Sequence, residues 1–254
     1  MAAARHHRFL SAWFCPFAHR AHIALELTGV PYEFVDSLGW TLRGEEWHHW
    51  KSPELLAANP RGTIPVLLPE RGRAVYESQV CLEYLHDLNP EASTLLPSDS
   101  FGRARQRTVS EFVNRRICSP YYDILVKRGT SERKASFQEL LASLRKFSSQ
   151  TVGPFFAGDE LTMVDIMAFP HCFRFFVLEH YRGPAFAVPT DEEELQPFHR
   201  WLKAMTQHPS VAPTLPDKQR YLDHVRKYAD ATARSKVANA VRGGRAAHDM
   251  DDED

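Results

Sequence analysis

Apolar and polar positions change period several times along this chain. Phe9-Leu10-Ser11-Ala12-Trp13 is a short, mostly apolar run of strand type. From Phe17, residues Ala21, Ala24, Leu25 and Thr28 then recur at helical spacing until Gly29 stops the pattern. Tyr32-Glu33-Phe34-Val35 alternates at the period of a strand, which completes a strand-helix-strand unit. The stretch from Ser37 to Trp50, rich in Trp and His, reads as a loop. Ser52-Pro53-Glu54 supplies an N-cap, a first-turn proline and an acid favoured by the helix dipole, predicting a short helix that ends before Asn59-Pro60. Ile64 to Leu68 and Ala74-Val75-Tyr76 flank a turn at Glu70 to Arg73 and read as a hairpin, after which Glu77 and Ser78 open another helix. The α/β order favours a four-stranded mixed sheet covered by helices.

Beyond Asn89 to Asp99, a linker carrying two prolines, every periodic segment is helical. Helices are expected over 101–127, 131–147, 165–180 and 195–207, the third almost wholly apolar and the last with Trp201 and Leu202 inward. Thr162-x-x-Asp165 is a capping box whose simplest role is to start the third. An amphipathic stretch from Asp217 is broken by Gly243-Gly244 before the acidic end, Asp249 to Asp254. The expected division is an α/β unit over 1–90, a linker over 91–99, an all-helical unit over 100–230 and a disordered tail over 231–254.

Composition narrows the class. With 254 residues, 43% hydrophobic, 25% charged and a net charge of −1, the chain is of ordinary globular type. The balance calls for neither nucleic acid nor an acidic surface. Its apolar runs fall well short of the roughly 18–20 residues a membrane span needs. Only a few residues precede the first strand, too few for a signal peptide, so a cytoplasmic location is expected. The thirteen histidines include His6-His7 and His48-His49, but adjacent residues of a regular element cannot converge on one ion, so no metal site is expected.

Chemistry concentrates at Cys15. It ends the first strand run and precedes Pro16, which suits the first helical position, so the sulfur should sit at the helix N-terminus among unpaired N–H groups. Such a site lowers a thiol's pKa, and Cys15 is expected to be substantially ionised at neutral pH. The alternative is an inert, buried apolar cysteine. Three residues on stands Ala18 rather than a second cysteine, so no local disulfide can resolve the reaction and an external thiol must. Cys81, Cys118 and Cys172 are scattered on apolar stripes, as buried, reduced thiols of a reducing compartment would be.

Three blocks together resemble the cytosolic glutathione transferases of the omega class: Ser11-Ala12-Trp13-Phe14-Cys15-Pro16-Phe17-Ala18-His19-Arg20, Asn59-Pro60-Arg61-Gly62-Thr63-Ile64-Pro65-Val66-Leu67, and Tyr76-Glu77-Ser78 with Glu83-Tyr84-Leu85. The resemblance spans nearly the whole chain apart from its tail. It implies an α/β thioredoxin-like domain that binds glutathione and an all-α C-terminal domain that supplies most of the second-substrate pocket. It further implies that Pro65 is cis, with the Ile64 backbone pairing the cysteinyl part of glutathione as an added strand would. Glu77 and Ser78 would hold the γ-glutamyl end, Lys51 the glycyl carboxylate, and Phe17 would line the site. An ordinary helix cap and a surface lysine would leave the same residues at Glu77, Ser78 and Lys51.

Tyr121, Tyr122, Arg174 and Tyr221 are candidates for the second pocket, with interhelical packing the competing role for the tyrosines. A cysteine in place of an activating Tyr or Ser implies a thiol transferase or reductase acting on disulfides and S-glutathionyl compounds, extending to dehydroascorbate. A conjugating or isomerising transferase and a non-catalytic binding protein of the same fold are the alternatives. The partners implied are glutathione as co-substrate, a small electrophilic or disulfide substrate, and a second copy of the chain in a homodimer.

Overall fold

The computed structural model describes residues 6–91 and 93–247. Its first half runs β1 (His7–Ser11), α1 (Pro16–Thr28), β2 (Tyr32–Asp36), β3 (Leu38–Arg43), β4 (Glu46–Lys51), α2 (Pro53–Ala58), β5 (Val66–Leu68), β6 (Val75–Tyr76) and α3 (Ser78–Leu88). The main sheet has the order β2-β1-β5-β6, with β1 parallel to β2 and antiparallel to β5. It is the mixed four-stranded sheet expected. Strand β1 lies inside it, and Phe9 and Leu10 are wholly buried, which explains a continuous apolar run in place of alternation. Helix α1 begins at Pro16, ends at the left-handed Gly29, whose N–H donates to Leu25 O at 3.0 Å, and buries Ala18, Ala21, Ile23, Ala24 and Leu25.

The Trp- and His-rich segment is a hairpin rather than a loop. Strands β3 and β4 pair antiparallel with Trp40 opposite His49, and the chain turns at Gly44, φ 60°. Trp40, Trp47, His48 and His49 are half-buried on both faces, with Trp50 exposed, so the alternation that would mark strands is missing from the sequence. A third strand, β7 (Ala233–Arg234), joins this second sheet from the far end of the chain, parallel to β4.

The second half comprises α4 (Ser100–Val113), α5 (Ser119–Val126), α6 (Thr130–Gln150), α7 (Met163–Cys172), α8 (Phe176–Arg182), α9 (Gln196–Gln207), α10 (Lys218–Ala229) and α11 (Lys236–Arg242). Two expected long helices are interrupted. A π-helical turn, Asn114–Cys118, separates α4 from α5, next to Pro120, which lacks a ladder N–H. The helix expected over 165–180 breaks between α7 and α8, because the Arg174 guanidinium donates to Pro170 O at 2.6 Å while the Arg174 N–H turns to His171 O. The capping box is formed. Asp165, wholly buried, accepts from the Thr162 N–H and hydroxyl, the Phe156 N–H and the Trp201 indole, all within 2.8 Å. Trp201 is buried as expected, whereas Leu202 is only half-buried.

The supposed disordered tail also needs correction. Residues 231–247 carry β7 and α11 and pack on both halves, while the rest of the acidic end lies outside the described residues. The halves are further joined through Arg20 of α1, whose side chain donates to Met167 O of α7, Ser78 Oγ of α3, and Asn114 Oδ1 and Cys118 Sγ of the π turn.

Candidate active site

Cys15 stands where the α1 cap was predicted. Its backbone is extended, φ −78° and ψ 117°, and its carbonyl accepts the His19 N–H at 2.9 Å. The residue lines a partly open cavity whose walls include Phe14, Phe17, Ile64, Tyr122, Tyr221 and Tyr228. Burial pushes the Cys15 thiol up, against the Ala18 and Phe17 N–H groups and the Arg174 and Arg20 guanidinia, which favour the thiolate. The largely ionised resting thiol expected from the helix terminus alone is therefore not what this cavity provides. The helix end supplies the N–H groups, but the walls remove the water that would otherwise solvate the anion.

Two cations lie behind the sulfur. Arg20 and Arg174 are 1% and 0% exposed, and among the described residues neither has a carboxylate partner. Burying an uncompensated charge is expensive, so both guanidinia favour any anion that forms or enters nearby. Arg20 also lies 5.1 Å from the centre of the Phe17 ring, itself stacked near Tyr122 and edge-on to His171. Arg174 does not face the second-substrate pocket. It sits behind Tyr221, 4.7 Å from the ring centre, with Nε and Nη2 buried. Tyr121 is likewise withdrawn from the wall, wholly buried behind Tyr122. Of the four second-pocket candidates, Tyr122 and Tyr221 line the cavity. Burial pushes the hydroxyls of Tyr121, Tyr122 and Tyr221 up, so none is a phenolate near neutral pH.

The residues implied for glutathione gather on one side of Cys15. The Ile64-Pro65 bond is cis, Ile64 lines the cavity and Pro65 is buried. Lys51, at the end of β4, folds over Gly62 and donates to Arg61 O at 3.4 Å; burial and the nearby Lys236 lower its pKa. Glu77 and Ser78 stand outside the cavity wall, at the head of α3. Glu77 has the unusual φ of 70° and pairs with Arg61 at 3.1 Å, and Ser78 Oγ accepts from Arg20 at 3.1 Å.

Several wall residues were not assigned to the site from the sequence: His49, weighed there only as a metal ligand, and His224, Tyr228, Ser235, Lys236 and Val237. His224 stacks on Phe14 at 4.0 Å and accepts from the Trp40 indole at 3.2 Å. Burial lowers His49 to about 3 and His224 to about 2, so both are neutral. The aromatic content of 37–50 was the one local signal, and it bears on His49 alone. Cys81, Cys118 and Cys172 are free and buried, with thiols pushed up by burial, Cys118 to about 11. Among the described residues no group of His, Cys, Asp or Glu is arranged to hold a metal ion, and no helix is long and apolar enough to cross a membrane.

Comparison with known proteins agrees with this geometry. Residues 14–88 match the glutathione S-transferase N-terminal domain and residues 126–204 the C-terminal domain. A probable glutathione S-transferase of Nicotiana tabacum is 30% identical over 230 residues, covering 90% of this chain and 96% of its own length. Rice GST1, solved in complex with glutathione, superposes with a TM-score of 0.75 at 27% identity, covering 90% of this chain and 98% of that one. Glutathione transferase Omega 3C from Trametes versicolor gives a TM-score of 0.72 at 27% identity, with 88% and 92% covered.

Proposed function

The chain belongs to the glutathione S-transferase family, and we propose that within it the protein is an omega-like thiol transferase working through Cys15. The observation that carries this reading is the placement of Cys15: a thiol at the N-terminus of α1, open to the cavity, with Arg20 and Arg174 buried behind it and lacking carboxylates. In the proposed cycle the Cys15 thiolate attacks the glutathione sulfur of a mixed disulfide. A Cys15–glutathione disulfide forms and the other half leaves as a thiolate that takes up a proton. A glutathione thiolate then attacks that disulfide, forming oxidised glutathione and restoring the Cys15 thiolate. The net result is reduction of the mixed disulfide by one glutathione, giving the free thiol and oxidised glutathione. The two arginines would stabilise Cys15 as attacking and as leaving thiolate, which offsets the effect of burial.

Glutathione would lie along Ile64, with Lys51 toward its glycyl end and Glu77 and Ser78 toward its γ-glutamyl end, while Phe17, Tyr122 and Tyr221 frame the second substrate. We also place the protein in the cytoplasm, where its free cysteines suit a reducing medium. We propose a homodimer, supported by the exposed apolar side chains Tyr76, Val80, Leu88 and Phe101 along β6, α3 and the start of α4.

A conjugating transferase is the second reading, favoured by two observations: burial opposes ionisation of Cys15, and the largely apolar walls suit an apolar electrophile. Glutathione-dependent reduction of hydroxyethyl disulfide, measured beside conjugation of chlorodinitrobenzene in the parent and in Cys15→Ser, separates the two. The thiol-transfer reading expects reduction to exceed conjugation and to vanish in the mutant. Conjugation that dominates and survives Cys15→Ser supports the second reading.

A further inference from the structure

We infer that Lys236, near the far end of the chain, is a second cationic contact beside Lys51 for the glycyl carboxylate of glutathione. The C-terminal segment thus completes a binding site built mainly by the first half; the inference rests on the glutathione reading above.

The placement follows from strand register. Strand β7 runs parallel to β4 with Ala233 opposite Trp47 and Arg234 opposite His48. Ser235 follows the strand directly and caps α11, so Lys236 and Val237, the first residues of that helix, start where β7 leaves the edge of β4. Side chains alternate along a strand, so His49 and Lys51 share a face of β4, and both line the cavity of Cys15, as do Ser235, Lys236 and Val237.

The segment is held at several points. The Trp47 N–H donates to Thr232 O at 2.9 Å, Arg234 pairs with Glu46, Arg242 donates to Ala233 O, and Ser235 Oγ accepts the Ala238 N–H at 3.1 Å to cap α11. Lys236 is therefore delivered to the rim by a fixed backbone.

The electrostatics agree with that placement. Lys236 lies close enough to Lys51 to lower its pKa, and Lys51 with Lys227 lowers that of His49. Cations gathered on one partly desolvated rim repel one another, and an entering carboxylate reverses the sign of that interaction. Of the groups along glutathione, a terminal carboxylate suits the Lys51 end of the cavity, opposite the Glu77 and Ser78 end.

Titration calorimetry with S-methylglutathione, which cannot exchange with Cys15, and with its glycyl ethyl ester tests this. Lys236→Gln is expected to weaken S-methylglutathione about tenfold, the order of one charge-assisted hydrogen bond, and to leave binding of the ester unchanged. Lys236→Arg should restore affinity for the acid, which a misfolded α11 could not do. Equal weakening of acid and ester, or no weakening of either, would overturn the inference while the glutathione reading stands. If the unaltered protein binds neither compound, the glutathione reading fails and the inference with it.

Discussion

The Arg174 guanidinium donates to Nδ1 of His19 at 3.1 Å, and the direction of that bond sets the state of the imidazole. Arginine can only donate, so Nδ1 accepts and the proton resides on Nε2, which donates to Thr214 Oγ1 at 2.8 Å; the threonine hydroxyl in turn donates to Val211 O at 2.7 Å. The chain of bonds holds a neutral His19 one helical turn beyond Cys15 and fixes Arg174 behind the cavity. Burial and the charge of Arg174 both lower the His19 pKa, so the arginine has no anion in this network.

Arg174→Gln keeps a donor near Pro170 O and removes the charge. Because that charge lowers the Cys15 pKa, the substitution should raise it further and slow alkylation of Cys15 by iodoacetamide several-fold at neutral pH. The pH profile of alkylation is the measurement. A profile displaced to higher pH is expected. An unchanged profile would mean Arg174 acts only in packing against Tyr221.

Acid should destabilise the protein below about pH 6.5, the ordinary pKa of histidine. His19, His171, His49 and His224 all have folded pKa values lowered by burial, the last two to about 3 and about 2. Below pH 6.5 the unfolded chain binds these protons and the folded one does not. Stability is therefore full above that value and falls as pH drops, by about 1.4 kcal/mol per pH unit for each histidine. Urea unfolding at pH 7, 6 and 5 should show the loss, with a shallower slope in His224→Gln. Equal slopes in the two proteins would place the acid sensitivity elsewhere.

Gly62→Ala should weaken glutathione binding several-fold with the fold retained. Gly62 has φ +59°, and an added Cβ would meet Lys51 Cδ at 2.6 Å and Nζ at 2.7 Å, displacing the lysine. Calorimetry of glutathione binding checks this. Unaltered affinity would show that Lys51 need not lie over Gly62 to bind.

What could be read from the sequence was what short-range chemistry determines. Cys15, Pro16 and Gly29 mark the two ends of α1 by capping alone, and Thr162 with Asp165 marks the start of α7. The Ile64-Pro65 turn was reached through family resemblance. What escaped depends on partners distant in the chain. Strand β7 has two residues and exists because β4 lies nearly 190 positions earlier to receive it, so neither its period nor its length announces it. The β3–β4 hairpin was missed because its tryptophans and histidines pack on α10 as well as on one another, with Trp40 against His224 and Tyr228. Arg174 was placed at the pocket by family resemblance, and its burial behind Tyr221 accompanies the break between α7 and α8, which the apolar pattern of 165–180 conceals.

If Cys15 forms a disulfide with glutathione as a step of turnover, mass spectrometry of the intact protein after brief exposure to oxidised glutathione detects it, with Cys15→Ser treated in parallel. One glutathione adduct is expected, located on Cys15, removed by excess glutathione and missing from the mutant. No adduct on the parent protein, or an equal adduct on Cys15→Ser, would contradict it.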